Sequence, residues 1–455
     1  MPLKIYNTLT KTVVPFEPIT PPRVGIYMCG MTVQDRPHLG HMRTFIFGDV
    51  LRRYLEYKGY EVIYIQNFTD IDDKIIQKSK EQGIDWRHLG EINVQEYLES
   101  AKAMNLKPAT YHPRATQFIQ EIIEMIQILI EKGFAYEKNG NVYYNVTKFK
   151  DYGKLSGKKL DELIESYRIE PDPNKTNPYD FALWKAHKEG EPYWYSPWGK
   201  GRPGWHIECS VMSSHFLGQP FDIHMGGQDL IFPHHEDEIA QSEAAYEREF
   251  AKYWIHSAPM LLKGEKMSKS TGLYFAIKDL LEKYSPEAIR LFILQKHYRS
   301  PAEYTPEFLD ESERAIERIK NFLNSVPSVD KTELIEEYLK KFEEAMDDDI
   351  NTPQAVGILF ELVKEGNQKL QSGEIPLKEK STLLFLLNVL GFRIENLHAK
   401  KFEENMLMEV IRLVLDVRKE LRASKNFALA DSIRDSLEKI GVKVKDTKEG
   451  YTFEF

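Results

Sequence analysis

Two periods of apolar spacing alternate in the first part of the chain. Val24-Gly25-Ile26-Tyr27-Met28-Cys29 is a short apolar run that stops at Gly30. A polar loop follows, and between Gly40 and Lys58 the residues Phe45, Phe47, Val50, Leu51, Tyr54 and Leu55 fall at helical spacings. Gly59 closes that run, and Glu61-Val62-Ile63-Tyr64-Ile65 reads as the next strand. Strand, helix, strand at this separation is a βαβ unit and implies a parallel sheet. Ligands of such sheets sit at the carboxyl ends of the strands. Cys29 and the loop after it are expected there.

From Thr110 to about Lys200 the pattern is mixed, with Pro171-Asp172-Pro173-Asn174 and Pro197-Trp198-Gly199 as breakers. This stretch reads as an insertion between two halves of one domain. The sheet pattern resumes at Phe221-Asp222-Ile223-His224 and at Tyr253-Trp254-Ile255-His256. After Phe275 the chain turns helical. Ser285-Pro286-Glu287 supplies a capping hydroxyl, a proline at the first helical position and an acid in the first turn. Leu407, Val410, Ile411, Val414, Val417 and Leu421 predict a further amphipathic helix. Alternation around Lys448-Glu449-Gly450 predicts a small hairpin from Val442 to Phe455. The expected fold is α/β, a Rossmann-like parallel sheet with an insertion, then a helical bundle and a small C-terminal module.

Composition narrows the class. The 455 residues are 42% hydrophobic and 29% charged, which suits about three soluble globular domains. Mean hydropathy is -0.47, and no unbroken apolar run approaches the ~20 residues of a membrane span. No apolar h-region with a cleavage site is seen near Met1, so a cytoplasmic location is expected. The net charge of -9 argues against a protein that coats nucleic acid non-specifically. A local basic cluster, Arg412, Arg418, Lys419, Arg422 and Lys425, reads equally well as an RNA-facing patch or a solvated helix face. The two cysteines, Cys29 and Cys209, are too few and too distant to suggest a structural disulfide framework.

Three constellations carry candidate chemistry. In Pro37-His38-Leu39-Gly40-His41 two imidazoles flank a glycine at the start of a helix, where free N–H groups and the dipole attract phosphate. The alternative is a helix cap with two incidental histidines. Lys266-Met267-Ser268-Lys269-Ser270 places two lysines on a small-residue loop, suited to neutralising a leaving pyrophosphate; any other lysine pair would read as an exposed loop. The third comprises Cys29, Cys209 within Gly204-Trp205-His206-Ile207-Glu208-Cys209-Ser210, and Phe232-Pro233-His234-His235-Glu236-Asp237-Glu238. On a helix His234 and Glu238 share a face, and two thiolates, an imidazole and a carboxylate are acceptable zinc ligands. A metalloprotease pattern fails, because Ile239 stands where the second histidine of H-E-x-x-H belongs.

The histidine and lysine motifs, in this order around a βαβ sheet, resemble the paired signatures of class I aminoacyl-tRNA synthetases. The cysteine motifs narrow the resemblance to the cysteinyl-tRNA synthetase family. Matching segments include Asn67 to Ile75, Gly201 to His206, Asp222-Ile223-His224, Gly226 to Asp229, Ala345 to Pro353 and Ala430 to Arg434. The resemblance implies residues 1–110 and 201–275 as the halves of a catalytic domain and 111–200 as a connective insertion. Residues 276–400 would form the helical stem and anticodon-side bundle, and 401–455 a C-terminal tRNA-binding module.

It further implies one zinc per chain on Cys29, Cys209, His234 and Glu238. Gly30, Thr69, Trp205 and His224 would line a cysteine pocket, and Gly227 and Asp229 would hold adenosine. His38, His41, Lys266 and Lys269 would act on the phosphates, with magnesium accompanying ATP. The implied partners are L-cysteine, ATP and cysteine tRNA; no membrane is expected, and a monomer is. Two positions depart from the family pattern: Gln34 replaces a frequent aromatic and Leu273 a frequent asparagine. Two rivals are a cysteine ligase acting on an amino sugar and an inactive tRNA-binding paralogue. The long C-terminal region weighs against the first and the intact motifs against the second.

Overall fold

The computed structural model describes residues 2–158, 172–262, 264–266, 274–327, 333–394, 397, 404–439, 442–447 and 450–454. It forms two compact units, residues 1–397 and 398–455. At the centre of the first unit β1 (Arg23–Met28) leads through α1 (Leu39–Tyr57) to β2 (Glu61–Gln66). The chain later returns through α2 (Trp205–Leu217), β3 (Phe221–Gly227), α3 (Glu236–Tyr246) and β4 (Ala251–Ser257). The four strands form one parallel sheet in the order β4-β3-β1-β2. Met28 lies opposite both Gln66 and Met225, so β1, β2 and β3 end at one edge. After β2 the chain re-enters on the other side of β1. That reversal opens a crevice between β1 and β3, the usual ligand position of such sheets.

The insertion contributes the helix Ile119–Glu131 and a five-stranded antiparallel sheet running from Ala135 to Pro203. A short antiparallel ribbon, β5 (Met260–Leu262) and β6 (Glu265–Lys266), follows β4. Ser285 then starts α4 (Pro286–Leu294), its side chain accepting from the Ala288 N–H as the sequence predicts. Four longer helices, Pro306–Ser325, Glu336–Asp347, Thr352–Gln371 and Leu377–Val389, complete the bundle. Their apolar faces meet through Phe322, Phe342, Leu359, Leu362 and Leu386, all buried.

Helix α1 is covered on most of its circumference, so its polar residues need internal partners. Asp49 takes hydrogen bonds from Arg53, from the Lys107 N–H and from Arg290 at 3.0 Å. Arg290, on α4, also reaches the Leu390 and Met104 carbonyls, both at 2.9 Å. One buried guanidinium thus joins the helix behind the sheet, the end of the helix Trp86–Ala103 and the bundle.

The second unit packs helices Glu404–Ala423 and Phe427–Lys439 against the hairpin Lys443–Thr447/Gly450–Glu454. The helix and the two strands agree with the pattern; Lys448 and Glu449 lie outside the described residues. The core-facing register needs correction. Ile411, Leu415 and Leu437 are buried while Val410 and Val417 are exposed. Arg418 also leaves the expected basic patch: it is buried and donates to the Ala430 carbonyl at 3.1 Å. A helix with apolar residues on several sides has more than one amphipathic register, and packing against Leu437 and Val444 selects one.

Arg290→Met is expected to destabilise the first unit by about 2–4 kcal/mol, since it leaves the buried Leu390 and Met104 carbonyls without this donor and Asp49 with only Arg53 and the Lys107 N–H. The loss should show as an earlier first transition in a urea titration. Adding Asp49→Asn should cost less than the sum of the single changes, because the two share one network.

Candidate active site and metal centre

Four potential metal donors converge beyond the carboxyl end of β1. Cys29 follows the strand directly and its N–H continues the pairing to the Met225 carbonyl at 2.9 Å. Cys209 lies in the first turns of α2, which packs on β1 and β2. His234 does not stand on a regular helix as the spacing suggests. It lies in a kinked turn, Ile231–His235, in which Phe232 is extended (φ -139°, ψ 131°) and which runs into α3, while Glu238 is in the first turn of α3. The turn brings the His234 Nε2 to 3.0 Å from the Glu238 Oε1. The two sulfurs are 3.8 Å apart, and the Cys29 Sγ is 3.6 Å from the same Oε1. All four side chains are buried, and their donor atoms lie within 4.8 Å of one another.

A second layer holds these groups. His224 on β3, stacked on Trp254 at 4.3 Å, reaches the Glu238 Oε2 at 2.8 Å. The His235 Nε2 is 3.3 Å from the Cys29 sulfur, and its Nδ1 meets the His256 Nε2 at 2.7 Å. The His206 Nδ1 lies 2.8 Å from the His234 Nδ1, with the Asp237 carboxylate 3.3 Å from the opposite ring nitrogen. Glu236 is pinned by the Ser156 N–H at 2.8 Å and Asp237 by the Tyr152 hydroxyl at 2.5 Å, so the insertion anchors the whole turn. His234 to Glu238 are five consecutive ionisable residues, all buried. His206, His235, Asp237 and His256 are absent from the sequence-derived set. The density of ionisable residues between Pro233 and Glu238 hints at His235 and Asp237, and the motif around Cys209 contains His206; nothing local marks His256.

Protons balance this charge. Burial pushes the Cys29 thiol well above its usual range, helped by its bond to Cys209 and by the Glu238 charge. Cys209, accepting that bond, falls to about 6. Burial opposes a charged His234, yet the Glu238 carboxylate and Cys209 raise it to about 10. Burial alone would raise Glu238, but His224 and His234 hold it at about 2. Desolvation keeps His206 and His235 well below their ordinary range, and His256 at about 3. Near neutral pH the four donors therefore comprise a thiol, a thiolate, an imidazolium and a carboxylate. Two thiols, an imidazole and a carboxylate in a dry space are compatible with a metal site.

His38 is the N-cap of α1, as the cap reading has it, and the cap leaves both rings at the start of the helix. The His38 Nδ1 accepts from the His41 N–H at 3.3 Å, and the His38 N–H donates to the His41 Nδ1 at 3.4 Å. The rings stack 3.7 Å apart. With both Nδ1 atoms accepting, each neutral ring carries its proton on Nε2. A side chain at Gly40 would press on the His38 ring at 3.0 Å. Gly30 is more constrained still, because a Cβ there would fall 1.6 Å from the Asn67 carbonyl oxygen. Lys266, on β6, pairs with Asp229 at 2.9 Å, both about half exposed. Gly227 ends β3 two residues before Asp229. Trp205 is stacked on His234 at 4.2 Å, Thr69 is buried beside the β2 end, and His224 is buried beneath Glu238. Lys269 and Leu273 lie outside the described residues.

Comparisons with known proteins agree with this architecture. Residues 15–314 match the family model of the class I (C) tRNA synthetase catalytic domain, and residues 341–395 that of the DALR domain. The cysteine–tRNA ligase of Thermococcus onnurineus is 48% identical, over 99% of this chain and 98% of its own. That of Carboxydothermus hydrogenoformans is also 48% identical, over 98% and 99%. The Thermotoga maritima enzyme is 44% identical, over 99% and 100%. Two solved structures share the fold at low identity. Mycobacterium tuberculosis methionyl-tRNA synthetase with methionyl-adenylate superposes with a TM-score of 0.59 at 14% identity, covering 81% of this chain and 89% of that one. An Agrobacterium radiobacter LeuRS complex superposes with 0.60 at 10%, covering 85% and 86%. Identity at this level over nearly the whole chain, together with a class I catalytic domain built on this sheet, places the chain in the cysteine–tRNA ligase family, enzymes that form aminoacyl-tRNA.

Proposed function

We propose that the chain activates L-cysteine with ATP to cysteinyl-adenylate and passes the cysteinyl group to the 3′-terminal adenosine of cysteine tRNA. The observation that carries the reading is the sulfur pair at 3.8 Å inside a buried donor cluster at the sheet's carboxyl edge. Two thiolates bound at ~2.3 Å to one tetrahedral zinc lie about 3.8 Å apart. This favours Cys29, Cys209, His234 and Glu238 over the overlapping group of Cys29, His224, His235 and Glu238. His224, His235 and His206 then act as the outer partners that orient the ligands. Bound there, zinc would supply a soft contact for the substrate's thiolate that a serine hydroxyl does not match.

The first step is an attack of the cysteine carboxylate oxygen on the α-phosphorus, with cleavage of the bond to the departing pyrophosphate. The Nε2–H groups of His38 and His41, together with the amino end of α1, donate toward the triphosphate. An exposed pair such as Lys266–Asp229 is worth only ~0–1 kcal/mol, so Lys266 exchanges readily to phosphate, joined by Lys269, while Asp229 and Gly227 turn to the adenosine. Magnesium accompanies ATP. Gly30, Thr69, Trp205 and His224 surround the cysteine directly or through Glu238. In the second step the terminal ribose hydroxyl attacks the adenylate carbonyl carbon and AMP leaves. The enzyme acts as a monomer, with the helices after Phe275 and the second unit toward the tRNA.

The decisive assay is charging of cysteine tRNA transcript with labelled cysteine, which should proceed in metal-replete protein and stop after chelation. Absence of charging with metal present overturns the proposal. Serine should give ATP–pyrophosphate exchange at ~10⁻⁴ or less of the cysteine efficiency, the range reached by sites that demand one polar contact. Zinc uptake at pH 7.5 should release roughly two protons, from Cys29 and His234, since metal ligands bind deprotonated; titration calorimetry in buffers of different ionisation heat counts them. His38→Asn retains an N-cap, so thermal stability should hold while the exchange rate falls by about 10²-fold.

A further inference from the structure

Glu208 lies on α2, three residues after Trp205 and next to Cys209, so the three share one helix face. Its side chain is fully buried, neither carboxylate oxygen has a partner at full hydrogen-bond geometry, and the Thr69 hydroxyl is the one side-chain donor close enough to favour its charge. The Thr69 side chain lies beside it, and the Asp70 and Asp72 carboxylates add negative charge nearby. Those two acids have partners of their own. Asp70 accepts from the Thr116 N–H at 2.9 Å and from its hydroxyl at 2.6 Å, and Asp72 caps the helix Asp73–Gln82 through the Lys74 N–H at 2.9 Å. Glu208 belongs to neither group of metal-capable donors among the described residues.

A buried carboxyl without a full hydrogen bond costs several kcal/mol, and such a group in a native fold calls for an explanation, of which a ligand that completes it is one. The required ligand group is cationic, compact and rich in N–H donors, and it must sit beside Thr69. Resting on the cysteine-activation reading above, the geometry points to Glu208 as the residue that holds the substrate's α-ammonium. The zinc contact and Glu208 then read opposite ends of one small molecule. The metal site tests for sulfur, and Glu208 tests for an amino acid rather than a simple thiol acid. Three N–H donors of the ammonium satisfy the two carboxylate oxygens and the Thr69 hydroxyl together.

The test compares L-cysteine with 3-mercaptopropionate, which keeps the thiol and carboxylate and lacks the ammonium, in wild-type, Glu208→Gln and Glu208→Asp proteins. Metal content and melting temperature are measured alongside. Glu208→Gln should raise the KM for cysteine in ATP–pyrophosphate exchange at least 30-fold with kcat changed less than fivefold. Its inhibition by 3-mercaptopropionate should stay within twofold of wild type, so the preference for the amino acid collapses. Glu208→Asp should fall between the two, and it carries the same comparison if the glutamine variant fails to fold. A cysteine KM within threefold of wild type, or equal weakening of both ligands, overturns the assignment. If the wild type itself shows no cysteine-dependent exchange, the activation reading fails before Glu208 is tested.

Discussion

The structure is organised around charge that has been removed from water. Cys29, Cys209, His234 and Glu238 sit in a dry space at the end of a parallel sheet, and three further histidines enclose them. A single anion in such a place would carry a prohibitive desolvation cost. The cluster survives because each group's charge or proton is set by another: Cys29 keeps its proton as Cys209 loses one, and His234 gains one as Glu238 gives one up. A divalent cation bound to the same four donors would take the place of two of those protons.

Rigidity around that cluster comes from elements that bring no donor of their own. The insertion holds the His234–Glu238 run through Tyr152 and Ser156. The kink at Phe232 starts a new helical turn at the carboxyl end of the sheet, and that turn carries His234 toward Glu238. On the other side of the crevice α1 carries the stacked histidines at its start and is bolted deeper in by Asp49 and Arg290. Arg43 adds a second anchor, its guanidinium donating to the carbonyls of Pro259 and His297 and to that of Ser300. The phosphate-facing end of α1 is therefore fixed relative to both the sheet and the bundle. The same pair of histidines caps the helix and orients its own donors, so the contact that would serve the proposed phosphate role also stabilises the helix start.

Much of this was legible in the chain. The strand, helix, strand spacing of residues 24–65 gave the parallel sheet because apolar periodicity reports directly on which faces are buried. The four donor residues stood out because thiols are scarce here and fall in motifs with histidine and acid. The second layer was not legible. His256 is a lone histidine in an apolar strand, and only pairing with His235 gives it a role. Glu208 reads as an ordinary acid in the first turn of a helix until both its oxygens prove buried and without a full hydrogen bond. The C-terminal helix shows the same limit, since Val410 and Ile411 are equally apolar and only packing separates the exposed one from the buried one.

The sequence by itself determined the order of the central elements, the β1–α1–β2 unit and the candidate donors, because these depend on local periodicity and on residue chemistry. The tertiary structure decided which donors meet, the 3.8 Å between two cysteines 180 positions apart, the kinked turn that carries His234 and the pairing of Lys266 with Asp229. Those outcomes follow from desolvation and close packing, which act between segments remote in the chain and leave no periodic trace in it.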